Sequence, residues 1–233
     1  MLTWRSACSL FPKNCHPLPL LAKNANRAIH DRMVDYGVDC SRREALWSTS
    51  AAVVRIKGGQ LEWLQTGDAY VILIYSDNSH RVLVHQEDHD YETLMQWKSV
   101  APASTLPIHE ALKDQIRKVR CRMNRSYGVL NGEADAAHFF HWGSIPFDNV
   151  REVLLFTDGL SIPSPTPTRY KKFDTFMTRY FDLGLTGLKN HIRSIEKSDP
   201  GCKRFPRFKC HDDIAAISIK LTSTQPVQSA TAV

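Results

Sequence analysis

A chain of 233 residues is long enough to bury a sizeable core as one large domain or two small ones. With 42% hydrophobic and 23% charged residues it reads as globular. No stretch approaches the roughly 18 apolar residues that span a bilayer, so a membrane partner is not expected. The excess of 30 Lys and Arg over 24 Asp and Glu, a net +6, gathers in KVRCRMNR and CKRFPRFK. Solvated surface or an acidic partner protein explains such segments better than nucleic acid, which ranks last as a partner because no nucleic-acid-binding module accompanies them.

In chain order, residues 1–18 form an irregular segment rich in Pro, Cys and Lys. Broken by Pro12 and Pro17, it carries no apolar core of an export signal, so the expected location is cytoplasmic. The six cysteines, scattered and without export, are expected reduced. Cys202, Cys210 and His211 lack the CxxC pair that would make zinc the better reading. Over 19–36, Leu21, Ala25, Ile29 and Met33 recur every four residues, with Pro19 in the first turn and Gly37 as C-terminal cap, which predicts an amphipathic helix. SAAVVRI, LEWLQT, AYVILIY and HRVLVH follow, separated by turn residues, and predict an antiparallel meander of about four strands.

The next stretch reads as helical. Residues 91–99 give a short helix, and Ile108, Leu112, Ile116 and Val119 spell a second. SYGVLNGEADAAHFF predicts a brief extended piece, a turn at Asn131-Gly132 and a helical turn from Glu133. Val153 to Phe156 is a continuous apolar run of the kind found in core strands, and SIPSPTPT after it is barred from regular structure by its prolines. A helix resumes near Tyr170 with Phe173, Phe176, Met177 and Tyr180 on one face. SDPG is a turn, a strand covers 214–221, and the polar residues 222–233 read as a disordered tail.

Two core strands thus meet carboxylates. Asp158 leaves one, and Asp212 with Asp213 precedes the other. If those strands are antiparallel neighbours, the acids converge at one rim. A few aspartates at a rim suit Mg²⁺ or Mn²⁺, which take oxygen ligands and keep several waters. A plain turn is the simpler reading of any single Asp-Gly taken alone.

The order STSAAVVRI, TGDAYVILIY, YGVLNGEADAA, VLLFTDGL and HDDIAAISIKL resembles the bacterial branch of the metal-dependent protein phosphatase 2C family over residues of about 20 to 221. The motifs are Gly67-Asp68, Thr157-Asp158-Gly159 and Asp212-Asp213, in that order. The resemblance implies an α+β fold for a domain spanning 19–221, with two antiparallel sheets packed as a sandwich flanked by helices. It also implies hydrolysis of phosphate monoesters of phosphoserine and phosphothreonine proteins by a metal-activated water. Asp158 and Asp212 match the positions that ligate Mn²⁺ or Mg²⁺; Asp68 matches a structural position, and Asp213 is assigned no metal role. His85, His89, His138, His141 and His211 match no motif of the family.

Relatives also carry an earlier Asp-Gly whose carboxylate bridges both metals, whereas the only Asp-Gly here is Asp158-Gly159. A further acid before STSAAVV is replaced by Leu46 and Trp47, with Glu44 the nearest carboxylate. The expectation is therefore an N-terminally incomplete domain whose two-metal site is incomplete and whose activity is weak. The alternative is a non-catalytic relic or binding module on the same scaffold.

Overall fold

The computed structural model describes residues 16–221 in full and the backbone of 222 and 225–232. The expected irregular segment 1–18 lies outside the described residues except for its last three, of which Leu18 already opens a helix. Helix α1, Leu18–Asp35, leads into β1 (Ala51–Lys57), β2 (Gln60–Thr66), β3 (Tyr70–Tyr75) and β4 (His80–Val82). Then come α2 (Tyr91–Val100), α3 (Ile108–Ala111), α4 (Lys113–Arg120), β5 (His141–Pro146), β6 (Val150–Phe156), α5 (Asp174–Lys197), β7 (Ala216–Thr222) and β8 (Gln225–Ala232). Among the described residues the strands form two antiparallel sheets, ordered β1-β2-β5 and β4-β3-β6-β7-β8.

Strands β3 and β6 of the larger sheet are buried on both faces, which is why YVILIY and VLLF are continuous apolar runs rather than alternations. Val71, Leu73 and Val153 face the smaller sheet and pack with Leu61, Val54 and Ile56 of β2 and β1. Tyr70, Ile72, Ile74, Leu154 and Phe156 face the opposite way, onto Phe176, Met177, Tyr180, Leu185, Leu188 and Ile192 of α5. This helical stretch is two pieces that meet at a kink at Gly184, whose φ of 65° and ψ of −177° interrupt the helical backbone. On the other side α1 places Met33 against Leu46, Met123 and Val129. The expected sandwich flanked by helices is the architecture found.

Several local expectations change. The four-strand meander is two hairpins in different sheets: β1 pairs with β2 and β3 with β4, and the chain crosses between sheets at Gly67-Asp68. Hydrophobic alternation reports that a strand exists and not which strand it pairs with. The helix expected through Ile108 and Val119 is broken at Leu112, where φ is −117° and ψ 27°, although Ile108, Leu112 and Ile116 still share one apolar cluster with Trp97. Strand β5 was expected to be part of a helical region. As an edge strand exposing Trp142 and Ser144 it has little apolar pattern to read. The last helix begins at Asp174 rather than near Tyr170, because residues 169 and 170 bridge back to the segment at 87–88, with Asp88 N donating to Arg169 O at 2.8 Å.

The disordered tail expected over 222–233 is replaced over Gln225–Ala232 by β8, paired antiparallel to β7. A ladder at a sheet edge is made by backbone groups, so small polar residues build it without an apolar signature.

Candidate active site at the rim of the sheets

Asp158 and Asp212 are brought to one rim by the pairing of β6 with β7, whose last register pair there is Phe156 with Ala216. Beyond it Thr157 N donates to Ala215 O at 2.9 Å, and the Thr157 hydroxyl accepts from Ala215 N at 3.1 Å and donates to Asp213 O at 3.2 Å. Gly159 then lies against the Asp212-Asp213 backbone: a Cβ added there would come within 2.3 Å of Asp213 O and 3.4 Å of Asp212 Cβ. Threonine, aspartate and glycine therefore each have a separate task, namely tying the two strands, supplying charge and allowing the approach. Gly159→Ala is expected to cost about 1–3 kcal/mol in urea unfolding by overpacking this contact, and a wild-type midpoint would contradict it.

Burial, reinforced by the charges of Asp68 and Asp212, pushes the Asp158 carboxyl up to about 7. Asp212 is better compensated: its Oδ1 accepts from Lys209 Nζ at 2.8 Å and from Asp213 N at 2.7 Å. Asp213 itself is exposed.

Asp68 was expected to be structural, and part of its role is so. The Ser50 hydroxyl donates to Asp68 Oδ1, and Asp68 N donates back to Ser50 Oγ at 3.2 Å. Gly67, at φ +69°, sits so close to Ser50 that an added Cβ would lie 2.4 Å from Ser50 Oγ. Yet Asp68 is also the foremost charged neighbour raising Asp158, so the crossing between sheets adds a third carboxylate to the rim.

The loop after β4 contributes groups that the sequence did not single out. Asp90 is pushed up to about 6, chiefly by burial, with His89 opposing and Asp88 and Asp68 adding. Lys171 Nζ lies 3.0 Å from Asp88 Oδ2. Burial lowers that ammonium's pKa, but Asp88, Asp158 and Asp90 together outweigh burial and raise it. Of the five histidines considered, His89 is beside these acids: it stacks on Tyr127 with centroids 3.9 Å apart, and its Nε2 is 3.6 Å from Asp90 Oδ2. His211 Nδ1 pairs with Glu196 at 2.9 Å, while His85, His138 and His141 are exposed. Next to Asp68 and Asp90 opens a cleft of about 320 Å³, walled by Ile116, Val119, Phe208 and the stacked His89 and Tyr127.

The burial of Asp158 and the like charges of Asp68 and Asp212 beside it suit a hard cation, which would offset both causes of its raised pKa. Among the described residues no group of three or more His, Cys, Asp or Glu side chains converges to hold a metal ion. The rim therefore offers Asp158 and Asp212 without an enclosed cage of donors around them.

No family model matches this chain, and no curated protein matches it in sequence. Solved structures do. The catalytic domain of the serine/threonine protein phosphatase PstP, in complex with two manganese ions, aligns over 98% of this chain and 78% of its own at 14% identity, with a TM-score of 0.48. The serine/threonine phosphatase Stp1 from Staphylococcus aureus aligns over 95% and 70% at 12% identity, TM-score 0.48. A serine-threonine phosphatase 2C from Toxoplasma gondii aligns over 92% and 74% at 12% identity, TM-score 0.47. No helix of the described residues is long and apolar enough to cross a membrane.

Proposed function

We propose that this chain is a metal-dependent protein phosphatase of the 2C type, slow in turnover, acting on phosphoserine and phosphothreonine in proteins. The observation that supports this reading is that Asp158 feels the charges of both Asp68 and Asp212 at the rim where β6 pairs with β7, three acids at strand ends that follow in the order of the family's motifs. Asp158 and Asp212 would hold Mn²⁺ or Mg²⁺, and the ion when bound polarises a water and neutralises phosphate charge. Asp68 adds negative charge behind Asp158, and its fixed bond to Ser50 keeps that charge in place. Lys171, held by Asp88 beside Asp158, offers the phosphate a protein cation. The cleft of about 320 Å³ along His89, Tyr127 and Phe208 would receive a side chain flanking the phosphorylated residue.

The test is hydrolysis of p-nitrophenyl phosphate, and then of a phosphothreonine peptide, by the full chain with Mn²⁺ and with EDTA. A slow rate that requires Mn²⁺ is expected. Turnover unaffected by EDTA would refute metal dependence, and tight Mn²⁺ binding without any turnover would identify a binding module instead.

A further inference from the structure

The residues before β7 are gripped from the last turns of α5 by a network that no catalytic motif includes. Glu196, 3% exposed, accepts from Arg193 Nη1 at 2.5 Å on its own helix and pairs with His211 Nδ1 at 2.9 Å. The other arm of the same guanidinium, Nη2, donates to the main-chain oxygen of Asp212 at 2.5 Å. Two residues earlier, Cys210 O accepts from Arg207 Nε at 3.3 Å, and Arg207 is anchored by Asp199 Oδ2 at 2.8 Å and by Glu196 O at 3.1 Å. The Asp199 carboxylate in turn accepts the backbone N–H of Lys203, Arg204 and Phe205. Cys210, His211 and Asp212 are thus fixed one after another from the same side, and Thr157 holds Asp213 O from the other.

From this geometry we infer that Arg193 and Glu196 are a positioning pair whose task is to set the Asp212 carboxylate for its cation. The inference rests on the phosphatase reading above. Glu196 orients the guanidinium and Arg193 passes that orientation to the Asp212 backbone, a task that suits the rigid two-armed donor of arginine. The helix carrying the pair is seated on the sheet by Leu188 and Ile192, so the carboxylate is located relative to β6 and to Asp158 rather than to its own loop alone. Residues that orient a ligand from behind change metal affinity about 10–100-fold when removed.

The test uses the full chain and reads Mn²⁺ binding directly, by the loss of the free aquo-ion signal in electron paramagnetic resonance, together with the urea midpoint. Arg193→Ala is expected to weaken Mn²⁺ at least about tenfold, while Arg193→Lys, which keeps the charge but only one arm, falls between that variant and wild type. A purely structural role would lower the urea midpoint and leave affinity unchanged in the folded protein. Wild-type affinity in both variants overturns the positioning role while leaving the phosphatase reading intact. Absence of Mn²⁺ binding by the wild type overturns the phosphatase reading, and the inference with it. If Arg193→Ala does not fold, Arg193→Lys decides alone, and equality with wild type counts against the pair.

Discussion

In EDTA, the stability of this protein is expected to fall by about 2–4 kcal/mol between pH 4 and pH 8, and Asp158→Asn should remove most of that fall. Burial first, and then the charges of Asp68 and Asp212, hold the folded pKa of Asp158 at about 7, well above its unfolded value near 3.9. Between those two values the folded state binds more protons than the unfolded state, so the free energy of unfolding decreases as pH rises. The loss is absent below the unfolded pKa and complete above the folded one. Asp90, at about 6, adds a smaller decrease over a narrower window. Asp199 acts in the opposite sense: burial raises its pKa, but the bonds from Phe205, Arg204, Arg207 and Lys203 outweigh burial and lower it, so its contribution is lost as the pH drops through its folded pKa. Urea unfolding at several pH values decides the matter. Asp158→Asn should match wild type at pH 4 and exceed it at pH 8, and parallel profiles would show that the Asp158 carboxyl is not raised in the folded state.

Asp158→Ala and Asp212→Ala are each expected to reduce Mn²⁺-dependent hydrolysis to the EDTA background, with folding retained. The two carboxylates are not equivalent, and the variants should show it. Asp212 already has Lys209 as a counter-charge at 2.8 Å, so its removal leaves that ammonium with only the longer pair to Asp213 at 3.9 Å. Removal of Asp158 relieves repulsion with Asp68 and should stabilise the metal-free fold while abolishing turnover. Opposite signs for stability and activity in one variant are the signature of a charge kept for function. If Asp158→Ala retained Mn²⁺-dependent turnover, the ion would have to be held elsewhere, and the proposed assignment would fall.

What the sequence by itself determined is whatever a run of neighbouring residues can encode. The repeat through Leu21, Ala25, Ile29 and Met33 made α1 legible, the run YVILIY marked a strand, and VLLF marked a core strand. Asp158-Gly159 and Asp212-Asp213 were readable as acidic strand ends because each is local and each borders an apolar run. The tertiary structure alone decided what depends on residues far apart in the chain. It divided the expected meander between two sheets, paired β5 and β8 at edges where apolar periodicity is faint, and turned Asp68 from a turn residue into a neighbour of Asp158. Asp88, Asp90 and Lys171 became part of the rim only when the segment at 169–171 folded back on 87–88. Arg193 and Glu196, which no pattern in the sequence singled out, reach the Asp212 backbone only through the placing of that helix. A charge has no periodic signature, and its neighbours are chosen by the packing of the apolar residues around it.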